Sequence, residues 1–382
     1  VPHPRRAAAG GGPMSRATRR RIPLGIAAAA ALALAIASGT GVVAAPSGDP
    51  LPPPPPAPPM LGPADPAGTP ATPPPIDPAM TRSGLVERIL RSDGRETLRI
   101  ASAGMRRIIS VDVLRGSGAG PRPVLYLLDG VDGDATSAWL TKGRAAEFFA
   151  DKPVDVVVPG GGTGSMYSDW ERTDAALGLN RWETFLTEEL PPIVESLLRS
   201  DGRRAVAGVS MGAQAAIMLA QRHPGMYQAV AGMSGCYSTA DPLGRAVTTI
   251  TVASRGGDVQ NLWGPPGSPE WTAHDSVLGA EALRGTVVYL SASPGLPTPA
   301  DLVAIAQSPS VPEALAEAGG GAALEAGSRA CTELFAARLA QLGIPATVEY
   351  AADGMHTWPD FAAQLPRTWA ALAPALELTG PS

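Results

Sequence analysis

The sequence predicts an α/β fold, a mainly parallel central sheet with helices on both faces. From Thr81 onward, short β-rich apolar runs alternate with stretches of helical periodicity. Several of those runs are continuously apolar, as strands buried on both faces require. A strand–helix–strand alternation of this kind lays successive strands side by side in parallel, with helices covering the sheet.

The elements follow in order. Residues 107–114 alternate apolar with polar, like a half-buried strand, and residues 124–128 (Val-Leu-Tyr-Leu-Leu) form a buried strand that exits through Asp129-Gly130. A helix is expected over 137–149, then a strand over 154–158 closed by Pro159-Gly160-Gly161-Gly162. An amphipathic helix over 182–198 leads to a short strand at 204–207 and a helix over 211–222. Strands are expected at 229–233 and 286–290, and a helix over 325–342 that Gly343 stops. Residues 346–350 form the last strand, and 358–376 contain the last helix. There is no internal repeat, and the strand order is not readable from these patterns.

Not all 382 residues suit one fold, because the 41 prolines cluster early. Residues 1–45 read as a signal peptide: Arg16, Arg19, Arg20 and Arg21 precede an apolar run from Leu24 to Ile36, and small residues follow to Val43-Ala44-Ala45. The run is shorter than the ~20 residues a membrane span needs, so export with cleavage is expected rather than anchorage. Residues 46–80 form a proline-rich linker suited to extended polyproline II, which buries no core. Residues 81–382 are left as one catalytic-sized domain. The net charge of −5, with no basic block in that domain, excludes nucleic acid as an expected partner. An even pair of cysteines, Cys236 and Cys331, permits a disulfide in an exported chain; two separate buried thiols are the alternative.

Gly208-Val209-Ser210-Met211-Gly212 carries the chemistry. A strand precedes it and an Ala-rich helix follows, the setting in which a G-x-S-x-G serine is raised on a sharp turn, as in the α/β-hydrolase fold. A Gly-rich turn with an incidental serine is the plain alternative. Such a hydroxyl needs a base, and the chain has four histidines. His3 lies in the export segment, His223 is expected to cap the far end of the helix that Ser210 opens, and His274 sits in a polar loop. His356 follows the last strand, where this fold places its base. The acid that orients it is either Asp301, after the 286–290 strand, or Glu325, opening the next helix; spacing does not choose. The backbone N–H groups of Met211 and Val131 are the expected oxyanion hole.

These residues, with Tyr126-Leu127-Leu128-Asp129-Gly130, Tyr167-Ser168-Asp169-Trp170, Trp182-Glu183-Thr184-Phe185-Leu186, Leu262-Trp263-Gly264-Pro265 and His356-Thr357-Trp358, resemble the secreted mycolyltransferases of the antigen 85 family. The resemblance runs from about Leu125 to Trp369, and the paired cysteines look like its corynebacterial and nocardial branch. It implies Glu325 as the acid, Val131 as the second oxyanion donor, and sugar contacts at Asp129 and Trp263; a capping role for Asp129 and a packing role for Trp263 are the alternatives. It also implies transfer of a mycoloyl group from trehalose monomycolate to a sugar hydroxyl, of trehalose monomycolate or arabinogalactan, in the cell envelope, by a monomer with no metal or organic cofactor. A carboxylesterase and a non-catalytic envelope-binding paralogue are the other readings. One departure stands out: the best-known members carry arginine after the oxyanion donor, where this chain has Asp132. That exchange alters how a sugar would be held there.

Overall fold

The computed structural model describes residues 73–377 apart from residue 134, so the expected signal peptide and most of the linker lie outside the described residues. Nine strands form one sheet: β1 (Gly84–Leu90), β2 (Glu96–Ser102), β3 (Arg107–Leu114), β4 (Val124–Leu128), β5 (Asp155–Pro159), β6 (Arg204–Val209), β7 (Ala229–Met233), β8 (Val287–Ala292) and β9 (Ala346–Tyr350). Their order is β1-β2-β3-β5-β4-β6-β7-β8-β9. The stretch from β5 to β9 is parallel, and β1, β2 and β3 extend it as an antiparallel meander. The expected mainly parallel sheet is therefore present. Strands β1 and β2 were not foreseen, because charges interleave with their apolar positions and β1 is an exposed edge.

Side chains of successive strand residues point to opposite faces, and the core divides accordingly. Val124, Tyr126 and Leu128 of β4 join Val206 and Val230 on one face, against Trp182, Leu190, Ile217 and Phe335. Leu125 and Leu127 join Ala205, Ala207 and Ala231 on the other, against Trp139, Phe149, Phe361 and Leu365. Each face carries its own helices, which is why the central strands are apolar throughout.

The helices are α1 (Ala138–Thr141), α2 (Ala145–Phe149), α3 (Trp182–Thr184), α4 (Leu190–Leu198), α5 (Met211–Arg222), α6 (Pro242–Ala253), α7 (Val259–Trp263), α8 (Pro269–Ala273), α9 (Pro299–Ala306), α10 (Val311–Gln341) and α11 (Trp358–Leu372). The helix expected over 137–149 is broken into α1 and α2, since Arg144 takes a left-handed conformation at φ 55°. That expected over 182–198 contains a π turn, Phe185–Glu189, just before Pro191 and Pro192, which lack the N–H donors a regular turn would use. The largest difference is α10. It begins 14 residues before Glu325 and runs straight through Gly319-Gly320-Gly321, so Glu325 lies inside the helix rather than opening it. The domain also gathers contacts before Thr81: the Asp77 N–H donates to the Arg106 carbonyl at 2.8 Å. No helix among the described residues is long and apolar enough to cross a membrane.

Candidate active site

The C-terminal ends of β4, β6, β7, β8 and β9 share one edge of the sheet, and the expected catalytic residues follow them. Ser210 ends β6 with φ 55° and ψ −121°, a region that non-glycine residues rarely occupy. Its flanking glycines are sterically required. A Cβ on Gly208 would lie 2.2 Å from the Gly212 carbonyl oxygen, and one on Gly212 would lie 2.3 Å from that of Asp129. The elbow is thus pressed directly under the loop that leaves β4. A Cβ on Gly130 would sit 3.5 Å from that of Ser210 and 4.0 Å from its hydroxyl, so the loop that continues into Val131 passes over the serine. Among the described residues neither the Val131 nor the Met211 N–H has an acceptor. Met211 is the first residue of α5, where unpaired N–H groups and the positive end of the helix dipole suit a developing oxyanion.

His356 lies in the turn between β9 and α11, and its Nδ1 is 2.7 Å from Glu325 Oε2. The Glu325 side chain is buried, and its other oxygen accepts from Ser234 Oγ at 2.7 Å and from the Ser293 N–H at 2.7 Å. The acid is therefore held from the ends of β7 and β8 while it holds the imidazole. Asp301 does other work: its carboxylate accepts from the Thr298 N–H and hydroxyl in a capping box that starts α9. Ser210 connects to the same frame, since its N–H donates to the Met233 carbonyl at 2.9 Å, one residue before Ser234. The Ser210 hydroxyl and His356 are not hydrogen-bonded to each other. Such bonds commonly form only once substrate is bound. With Nδ1 engaged by Glu325, Nε2 is the nitrogen left for proton transfer.

The two other described histidines converge elsewhere. His223 Nε2 is 2.9 Å and His274 Nε2 3.5 Å from the Glu183 carboxylate, which Arg222 also contacts. That cluster sits at the far end of α5, about 18 Å along the helix from the elbow. Burial opposes the charge on Glu183, but hydrogen bonds from His223, His274 and Arg222 outweigh it and hold the carboxyl below its usual range. His274 is only 2% exposed and stacks on Trp263, which excludes it as the base for Ser210.

One expected sugar contact, Trp263, is corrected by burial. Trp263 is 0% exposed, and its indole N–H donates to Ser168 Oγ, so it packs the core and offers no face to a sugar. Asp129 is 1% exposed and accepts from Ser137 Oγ at 2.8 Å, stabilising the start of α1. Asp132, by contrast, is exposed, and its carboxylate pairs with the Arg255 guanidinium. Cys236 and Cys331 form a disulfide with a Cα–Cα distance of 4.8 Å. It ties the loop after β7, which carries Ser234, to α10 six residues beyond Glu325.

Residues 102–372 match the model of the Esterase family. The chain belongs to this esterase family. Among curated relatives, the diacylglycerol acyltransferase/mycolyltransferase Ag85B of Mycobacterium intracellulare is 33% identical over 214 residues, 54% of this chain and 64% of its own length. The corresponding Ag85A of Mycobacterium leprae is 33% identical over 212 residues, 53% of this chain and 63% of its own. The matched region thus spans slightly less than two thirds of those relatives. Among solved structures, Mycobacterium tuberculosis MPT51 (FbpC1) superposes with a TM-score of 0.62 at 28% identity, covering 74% of this chain and 98% of its own. An S-formylglutathione hydrolase from Agrobacterium tumefaciens superposes at 0.55 with 16% identity, covering 78% and 100%, a likeness of fold. Family and relatives together support esterase- or acyltransferase-type chemistry.

Within this member of the esterase family the motifs that carried the resemblance brace one another. Asp169 accepts from the Thr184 N–H and hydroxyl, Ser168 from Trp263, and the Tyr167 hydroxyl from the Asp129 N–H at 3.1 Å. They form the scaffold beneath the β4 exit loop. Three positions were missed from sequence. Ser234, at φ 55°, supports Glu325. Asp360 accepts from the Met355 N–H and the Thr357 hydroxyl on either side of His356. The Gly321 carbonyl accepts from the His356 N–H at 3.4 Å. Of these, only Asp360 had a readable signal, a Thr-Trp-Pro-Asp start to a helix in the pattern of a capping box.

Proposed function

We propose that this esterase is an exported mycolyltransferase that works through an acyl-Ser210 intermediate. The observation that carries the reading is the Glu325–His356 hydrogen bond at the same sheet edge as the Ser210 elbow. Ser210 Oγ attacks the ester carbonyl of a mycoloyl sugar, and its proton passes to His356 Nε2. Glu325, held by Ser234 and Ser293, stabilises the imidazolium so formed. The tetrahedral oxyanion accepts hydrogen bonds from the Val131 and Met211 N–H groups, each worth about 10²–10³ in rate in enzymes of this type. Collapse breaks the bond to the sugar oxygen, which takes the proton from His356 and leaves as trehalose. An acceptor sugar hydroxyl then gives its proton to His356, attacks the acyl-serine and restores the Ser210 hydroxyl.

Assays of the purified protein with trehalose monomycolate test this. Dimycolate with free trehalose is the expected product pair. Free mycolic acid without dimycolate would assign the second step to water and make the protein a carboxylesterase. No turnover, together with sugar binding and no labelling by a serine-directed fluorophosphonate, would make it an envelope-binding relative.

A further inference from the structure

We propose that Arg255 is a positioning residue for the oxyanion hole, acting through Asp132 as a strap across the β4 exit loop. The inference rests on the reading of Val131 as an oxyanion donor. Asp132 directly follows Val131, so whatever fixes its side chain also limits the direction of the neighbouring N–H. Within the loop, the Gly133 N–H reaches the Gly130 carbonyl only at 3.3 Å. The loop is otherwise braced from outside. The Gly164 N–H donates to the Val131 carbonyl at 3.0 Å, and the Thr163 hydroxyl to the Gly133 carbonyl at 3.0 Å.

Arg255 joins both parts. Its Nη2 donates to Asp132 and its Nη1 to the Ser254 carbonyl at 2.9 Å, anchoring the guanidinium to its own backbone just beyond α6. Its stem crosses the bracing loop: a Cβ on Gly164 would lie 3.1 Å from the Arg255 Cβ. One side chain therefore contacts both the β4 exit loop, which accepts these hydrogen bonds, and the bracing segment, which donates them. The guanidinium is 27% and the Asp132 carboxylate 62% exposed, so the pair adds little to global stability. Its consequence is local, because a donor displaced from the oxyanion loses much of the advantage of preorganisation.

The test is steady-state hydrolysis of p-nitrophenyl butyrate, which has no sugar, by Arg255→Ala, Asp132→Ala, the double Ala variant and the exchanged pair D132R/R255D. Each single variant is expected to lower kcat about 5- to 10-fold, a fraction of the cost of a lost donor, with KM within about twofold. The double Ala variant should be no worse than either single, and the exchanged pair should recover kcat to within about threefold, as residues acting as one unit do. Melting temperatures should stay within about 2 °C, as befits an exposed pair. Unchanged kcat in the single variants, additive losses in the double, or losses confined to KM overturn the proposal. Fluorophosphonate labelling of Ser210 runs in parallel. A labelled wild type with undiminished variants removes the strap alone, whereas an unlabelled wild type removes the nucleophile reading and this inference with it.

Discussion

Replacing Glu325 with Gln keeps the shape of a buried side chain and changes what it accepts. In the native site its two oxygens take donors from His356, Ser234 and Ser293, each at 2.7 Å. An amide has one accepting oxygen and one donating nitrogen. If the NH2 faces Ser293, two N–H groups oppose each other in a dry site. If it faces His356, the imidazole must adopt the tautomer with Nε2 protonated, which takes no proton from Ser210. Either arrangement costs about 1–3 kcal/mol of hydrogen bonding, and the imidazolium loses its counter-charge. A loss of about 10³–10⁴ in kcat is expected, or about 4–5.5 kcal/mol of transition-state stabilisation. The assay is kcat/KM on p-nitrophenyl butyrate, with circular dichroism to verify folding. Asp301→Asn is the matched control: its side chain, third in α9, accepts from the N-cap Thr298, and an Asn amide oxygen still accepts there, so activity should stay within about twofold. Glu325→Gln within tenfold of wild type, or a larger loss from Asp301→Asn, would refute the reasoning and return the acid's role to Asp301.

Gly212→Ala should fail to fold or lose about 3 kcal/mol or more in chemical denaturation, because its Cβ would meet backbone oxygens of Asp129 and Leu128 that have no room to retreat. Cys236→Ser/Cys331→Ser should lose about 2–5 kcal/mol and melt roughly 5–15 °C lower, with activity also falling because the bridge couples the Ser234 loop to the helix bearing Glu325. Glu183, whose folded pKa is depressed, contributes stability that is present above its ordinary value of 4.5 and lost as pH falls through the folded value. Glu183→Gln should therefore be less stable at pH 7 and show a shallower decline in melting temperature below about pH 4.5 than wild type.

How much of this was legible depended on the range of the interaction. The elbow could be read because its glycines, its preceding strand and its following helix lie within twenty residues of one another. Strand β4 and helix α5 were legible by the same local logic, and their observed bounds match the expected ones. The start of α10 was not. Three successive glycines each cost a helix about 1 kcal/mol, so local propensity places a break there. In the folded protein the helix continues, with Ala323 and Glu325 buried just beyond the glycines and the Gly321 carbonyl 3.4 Å from the His356 N–H, 35 residues away. Those contacts are tertiary, and local propensity does not report them. Trp263 shows the complementary failure, since an indole that packs inside and one that stacks on a sugar look alike in sequence. The Asp132–Arg255 pair joins residues 123 positions apart, and no periodicity links them. Asp132 alone looked like a change from cation to anion, whereas the fold returns a guanidinium to its side.

The central claim is that one hydroxyl, Ser210, carries the acyl group. Brief incubation with an activated ester, quenching and peptide mass spectrometry test it most directly. An acyl adduct is expected on the peptide containing Ser210 and absent from Ser210→Ala. An adduct on any other residue, or turnover that survives Ser210→Ala, would contradict it.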